Sequence, residues 1–351
     1  MAYTTIDKPT DYFNTKLYTG NGSTQSITGV GFQPDWVWTK NRDNGAEWHT
    51  LYDSVRGVYK RLYTNVTNGE ESTTQSLTSF DSDGFSLGAY SGSNGNGENI
   101  VSWNWLASNT TASNTDGSIT STVSANTTSG FSIVSYTGSG SVTSFGHGLG
   151  VAPSMVIIKN RDDTDNWTVF HLGINSGQGY IYLNSNALAV TGSSRRYRYG
   201  DDSDGKLPDS SKVYLGTASD VNQSGEDYIA YCFAEKKGFS KFGSYTGNGS
   251  TDGTFVYTGF KPAFVMFKNT ETTANWGMID NKRDDDNVVK ARLFPNLSDT
   301  ESSSFDICDF TAQGFKLRTT DSQFNSSHKI IYMSFSESPF VTSTGIPTVA
   351  R

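Results

Sequence analysis

Short alternating runs of apolar and polar residues, broken by Gly, Asn and Asp, make up most of the chain. Period-two runs such as Phe131-Ser132-Ile133-Val134-Ser135-Tyr136 and Phe239-Ser240-Lys241-Phe242-Gly243-Ser244-Tyr245 predict strands with one buried face. Both end at a Tyr-Thr-Gly, which occurs three times: Tyr18-Thr19-Gly20, Tyr136-Thr137-Gly138 and Tyr245-Thr246-Gly247. Glycines such as those of Gly20-Asn21-Gly22 supply the positive φ of a tight turn. Downstream of each copy stand a proline, an apolar run and a lysine. They read Pro34-Asp35-Trp36-Val37-Trp38-Thr39-Lys40, Pro153-Ser154-Met155-Val156-Ile157-Ile158-Lys159 and Pro262-Ala263-Phe264-Val265-Met266-Phe267-Lys268. An unbroken apolar run predicts a strand in the middle of a sheet, covered on both faces. Eight residues after each lysine comes a tryptophan: Trp48, Trp167 and Trp276. The lysines recur at intervals of 119 and 109 residues and the tryptophans keep both intervals. Such register predicts three copies of one module.

Each copy closes with two more strand patterns, for example Gly314-Phe315-Lys316-Leu317 and then Ile330-Ile331-Tyr332-Met333-Ser334-Phe335. With six to eight strands per copy and few windows that favour helix, the expected fold class is all-β. It is read as three tandem antiparallel β-sandwich modules of jelly-roll type. The boundaries are 1–107, 131–237 and 238–351, with 108–130 a Ser/Thr/Asn-rich linker that carries a strand-like Ser118-Ile119-Thr120-Ser121-Thr122-Val123 and reads as a hairpin arm.

Composition changes the picture mainly by exclusion. The net charge of −8 argues against a phosphate-tracking stripe, so nucleic acid is not an expected partner. The one basic cluster, Arg195-Arg196-Tyr197-Arg198-Tyr199, is followed at once by Asp201, Asp202 and Asp204 and reads as a solvated loop. Tyr197 and Tyr199 are the residues there that could stack on a ligand. No apolar stretch is long enough to span a bilayer, and the first residues lack the pattern of a secretory signal. Cys232 and Cys308 fall at non-equivalent places in different copies and read as buried free thiols, which suits a reducing cytoplasm.

Candidate chemistry is sparse. No His or Cys spacing matches a zinc site, and no acid recurs in all three copies. Asp81-Ser82-Asp83-Gly84 and Asp202-Ser203-Asp204-Gly205 resemble the start of a calcium loop but lack its closing ligands, and the same residues suit a β-turn. No cofactor is expected beyond calcium at those aspartates. The three tryptophans read either as core or as platforms on which a sugar ring could stack.

The string Tyr245-Thr246-Gly247-Asn248-Gly249-Ser250-Thr251-Asp252-Gly253, together with Phe255-Val256-Tyr257-Thr258-Gly259-Phe260, resembles a repeat-bearing family of virion structural and tail-fibre-like proteins of tailed phages, especially those of marine bacteria. Asp116-Gly117-Ser118-Ile119-Thr120-Ser121-Thr122-Val123-Ser124-Ala125-Asn126 and Ser338-Pro339-Phe340 fit the same family, and the resemblance runs over nearly the whole chain. It implies a non-enzymatic protein of the virion exterior, made in the host cytoplasm, and no catalytic motif carries over. The implied partners are other virion proteins and a host surface glycan, with a homotrimer as the assembly suggested by analogy with other phage appendages. Two classes follow: a fibre- or spike-like appendage that touches the host, or a decoration protein bound to the head. A glycan depolymerase is a third. No heptad stalk or collagenous tract is present, which favours a tightly seated component.

Overall fold

The computed structural model describes residues 2–192 and 206–348. Nearly all regular structure is antiparallel strand, and the sheets form no closed barrel. One strand order appears three times. The strand that ends at Tyr-Thr-Gly pairs with the closing strand, which pairs with the lysine strand, which pairs with the strand that returns from it. In the first repeat these are Phe13–Thr19, Asn99–Trp105, Trp36–Asn41 and Thr50–Asp53. The second repeat uses Phe131–Thr137, Asp227–Phe233, Met155–Asn160 and Thr168–His171. The third uses Ser240–Thr246, Lys329–Pro339, Phe260–Asn269 and Gly277–Asp280. A smaller sheet accompanies each: Gln25–Thr28 with Gly84–Leu87 and Leu77–Asp81, then Thr143–Gly146 with Lys212–Leu215, then Phe255–Tyr257 with Gly314–Leu317 and Cys308–Thr311. The arm forms a hairpin, Ala112–Asn114 and Ser121–Asn126, that extends the second large sheet beside Phe131–Thr137.

The lysine strands are apolar on both faces because each face meets a different core. Val37, Val156 and Val265 point toward the small sheet of their own repeat, against Phe85, Val213 and Phe315 respectively. Trp36 and Trp38, Met155 and Ile157, and Phe264 and Met266 point the other way, into one cluster that all three repeats share. Within it Trp36 lies 4.4 Å from Trp105 and 4.6 Å from Tyr231 of the second repeat. Trp105, Phe233 and Phe335 hold equivalent positions on the closing strands. They converge, with Phe335 5.7 Å from Trp105 and 6.2 Å from Phe233. Each repeat is thus a two-sheet sandwich whose large sheet turns its second face onto the other two. No helix among the described residues is long and apolar enough to cross a membrane.

The tryptophan register needs one correction. Val37 pairs with Tyr52, Val156 with Phe170 and Val265 with Ile279, which makes Thr50, Thr168 and Gly277 equivalent. The residue before each is His49, Trp167 or Trp276. The first connection is one residue longer, so the equivalent of the two later tryptophans is His49 and not Trp48. Side-chain bonding agrees: the backbone N–H of His49, Trp167 and Trp276 donates to the Oδ1 of Asn65, Asn184 and Asn296 in turn. Trp48 is only half-buried, edge-on to Tyr63 at 4.9 Å.

Candidate functional site

The features that recur in all three copies are fastenings. The tyrosine of each Tyr-Thr-Gly donates its hydroxyl to a carbonyl in a single helical turn of Ser-x-x-Asn: Tyr18 to Ser93, Tyr136 to Val221 and Tyr245 to Phe324, at 2.6–2.7 Å. The asparagine that closes this turn then clamps the glycine-rich loop. Asn94, Asn222 and Asn325 accept from the backbone N–H of Asn21, Ser139 and Asn248, and their amides donate to Gly88, Gly216 and Thr319 carbonyls. The loop lies so close that a Cβ on Gly20, Gly138 or Gly247 would stand 2.2–2.3 Å from a backbone oxygen. Sequence reading found the Tyr-Thr-Gly but missed the Ser-x-x-Asn that explains it. The signal was present, as Ser91-Gly92-Ser93-Asn94, Ser219-Asp220-Val221-Asn222 and Ser322-Gln323-Phe324-Asn325.

The repeated lysines are fully buried and bond to carbonyls of the following loop. Lys40 Nζ donates to Glu47 O at 2.8 Å, Lys159 to Asp163 O at 3.1 Å and Lys268 to Ala274 O at 2.7 Å. Burial pushes all three down to about 8. The next residue, Asn41, Asn160 or Asn269, accepts from the two N–H groups that follow its own loop entry. This is an Asx cap on the turn.

The repeats meet head to tail and the contacts close into a ring. The residue two after each lysine accepts a backbone bond from the previous member: Arg161 O from Glu70 N, Arg42 O from Glu301 N and Thr270 O from Ala189 N, at 2.7–2.9 Å. Across the first of these seams Arg161 grips Glu70 through two bonds of 3.1 Å, and Glu70 also takes Arg56, which pairs with buried Asp53. Asp53 in turn accepts from Tyr231 Oη at 2.8 Å. The second seam repeats the chain as Arg42, Glu301, Arg283 and Asp280, ending on Trp103 Nε1 at 3.0 Å. The guanidinium groups hold Glu70 down to about 2. In the third seam Thr270, Ala189, Ile174 and His171 stand at the corresponding places. His171 Nδ1 accepts from Gly173 N, so Nε2 carries the proton and donates to Tyr332 O at 3.1 Å. Burial lowers this imidazole to about 4. The substitution has a reason: Tyr231 and Trp103 offer a donor and meet an aspartate, whereas the equivalent Met333 offers none. An open cleft of about 370 Å³, lined by Ile174, Leu188, Ala189, Thr270, Glu271 and Lys329 among others, lies where the other two seams hold their ion pairs.

Trp167 and Trp276 belong to these seams. Both are buried, and their indole N–H groups donate across them to Tyr63 O and Tyr182 O at 2.8 and 2.9 Å. Neither has a face open to a sugar ring. His49, at the equivalent place, accepts from Trp38 Nε1 at 3.0 Å and is held well below the usual imidazole range, by burial first and then by Lys40 and Arg283. Asp81 accepts from the hydroxyls of Ser79 and Ser86. Asp83 accepts from the backbone of Gly29 and Gly31, which holds its carboxyl below the usual range. Both carboxylates are therefore engaged in a hairpin turn. Among the described residues no group of three or more His, Cys, Asp and Glu gathers as a metal set. Tyr197, Tyr199, Asp202 and Asp204 lie outside the described residues. Cys232 and Cys308 are buried and free.

The surface feature that sequence reading did not single out is the outer strand of the third small sheet. Phe255 is 47% exposed and Tyr257 54% exposed, on either side of inward-facing Val256. The equivalent pairs are Ser26 and Thr28 in the first repeat and Ser144 and Gly146 in the second. Near Tyr257, Tyr3 donates its hydroxyl to Gly259 O at 2.6 Å and carries Lys237 Nζ 4.4 Å above its ring.

The chain belongs to the family described as a domain of unknown function, DUF7483, whose model matches residues 8–339. That match runs through all three repeats as one unit. No curated protein matches the sequence.

Proposed function

We propose that the protein is a non-catalytic structural component of the exterior of a tailed-phage particle, a fibre- or spike-like appendage that touches the host surface. The reading joins the phage-family resemblance of the sequence to the closed ring of three seams, which is the observation that carries it. A heterologous contact that closes on itself makes a finite, rigid body and not an open chain. From that body the Tyr-Thr-Gly loops, fastened by Asn94, Asn222 and Asn325, project polar groups with little entropy left to lose on contact. Copies on one particle, as homotrimers, would combine weak contacts to a host glycan by effective concentration. A decoration protein is the second reading. It is favoured by the same ring, since three equivalent units around a common core suit a three-fold seat on a head.

Purified protein incubated with host cells, and separately with particles that lack it, separates the two. Saturable binding to cells is the expected outcome. Binding to heads alone transfers the assignment to decoration, and release of reducing sugar from host envelope overturns the non-enzymatic reading.

A further inference from the structure

In the second repeat the outer strand Thr143–Gly146 does not face solvent along its free edge. The arm covers it. Ile119 N donates to Ser144 O at 3.0 Å, and Ser144 N donates to Ser118 Oγ at 2.8 Å. Gly146 O accepts from Ser121 Oγ at 2.8 Å. Ile119 and Phe145 form a parallel bridge. A segment of this chain thus shows what such an edge takes: an extended, uncharged strand with one aliphatic residue between hydroxyls.

Among the described residues the equivalent edge in the third repeat has no such cover. Antiparallel pairs alternate between bonded and non-bonded positions. Leu317 N donates to Thr254 O and Thr258 N to Gln313 O. Alternation then places Val256 in a bonded pair with Phe315 and turns the N–H and C=O of Phe255 and Tyr257 outward. These are the same positions whose groups the arm takes in the second repeat. Among the described residues no backbone hydrogen bond or bridge runs along that side of Phe255–Tyr257. An exposed edge flanked by two aromatic rings is a liability that proteins normally blunt with charge or proline. Here it carries Phe and Tyr, where the first repeat has Ser26 and Thr28.

We infer that the strand Phe255–Tyr257 is a docking edge for an extended segment of a partner protein, added in parallel as a further strand in the way the arm is added to Thr143–Gly146. The partner segment is uncharged and places an aliphatic side chain, like Ile119, between hydroxyl residues. Backbone bonds to Phe255 and Tyr257 give the affinity, and the two rings cover the incoming strand. The inference holds whether or not the protein sits on a virion.

The probe is a fluorescein-labelled peptide with the sequence of residues 117–122, titrated against the intact protein and followed by anisotropy. Saturable binding is expected. Tyr257→Pro removes one outward N–H while leaving the pairing with Gly314–Leu317 in place, and should weaken binding about tenfold, the equivalent of one hydrogen bond. Should that variant fail to fold, Phe255→Pro, which removes the outward N–H equivalent to the one that Ser144 donates to Ser118 Oγ, must weaken binding as much. Absence of binding at millimolar peptide overturns the inference, as does binding that neither variant changes. Self-association of the protein that Tyr257→Pro abolishes would assign the edge to a second copy and overturn the partner. Binding of an oligosaccharide that depends on the rings but not on the N–H would overturn the strand.

Discussion

Among the described residues, two of the three seams are locked by buried charge and the third is not. Arg161, Glu70, Arg56 and Asp53 form one chain of ion pairs, Arg42, Glu301, Arg283 and Asp280 the other, and each ends on an aromatic donor of the next repeat. The third seam replaces them with Thr270, Ala189, Ile174 and a neutral His171. A buried ion pair often stabilises no more than the apolar contact that could replace it, yet it fixes register strongly because a half-broken pair is costly. The difference teaches that the ring is specified at two joints and merely closed at the third. That leaves one place, beside the open cleft, where the ring can part.

The largest effect should fall on what all seams share. Trp105→Ala removes an aromatic from the common cluster and should cost about 3–5 kcal/mol. The loss should appear as one cooperative melting transition shifted as a whole, because the cluster belongs to every repeat. Three separable transitions in calorimetry would contradict the shared core.

Glu301→Ala leaves Arg283 and Arg42 facing each other without their carboxylate and should cost about 3 kcal/mol by denaturant titration. Thr270→Ala, in the third seam, loses the hydroxyl bond to Lys329 O and should cost about 1 kcal/mol. Equal effects would erase the distinction between seams.

Acid should separate them as well. The His171 value, about 4, lies below that of an unfolded histidine, so its contribution is fully present above pH 6.5 and is lost as pH falls from there toward 4. Over that window the loss should approach about 3 kcal/mol, since each pH unit between the folded and unfolded values corresponds to about 1.4 kcal/mol. The Glu70 value, about 2, lies below that of an unfolded glutamate, so its contribution is present above about pH 4.5 and is lost only as pH falls from there toward 2. Hydrogen exchange near pH 5 should therefore release Ala189 N–H, and Ala274 N–H, which donates across the same seam to Asn186 O, before Glu70 N–H and Glu301 N–H. The reverse order would show that the charged seams are the weaker ones.

The smallest expected effect tests the register. Trp48→Ala should cost about 1 kcal/mol, as for one exposed-edge aromatic pair, against about 3–5 kcal/mol for Trp167→Ala. Similar losses would restore Trp48 as the equivalent of the later tryptophans.

Much of this architecture could be read in the residues, and the misses have a common cause. Alternation and turn glycines located the strand that ends at each Tyr-Thr-Gly, since both are local. The lysine strand was legible as a central one because burial on both faces leaves no polar alternation. A fixed spacing carried the tryptophans past the point where it held: one extra residue between Lys40 and Thr50 moves the buried position from Trp48 to His49. A count along the chain cannot see that shift, whereas strand pairing can. The exposed aromatic strand was overlooked because Phe255 and Tyr257 have the same alternation as any half-buried strand, and only the fold says which face is out.

By itself the sequence determined the all-β class, the threefold repetition and the chemistry of each turn, because strand periodicity and glycine, asparagine and proline geometry act over a few residues. Tertiary structure alone decided that the repeats close into a ring around one aromatic cluster and that Asp53 and Asp280 meet donors where His171 meets a carbonyl. It also decided that, among the described residues, the edge of the third small sheet stands open while its counterpart is covered. Those outcomes depend on partners far apart in sequence. Whether a buried aspartate is satisfied, or an edge carbonyl free, is a property of what packs against it and not of its neighbours along the chain.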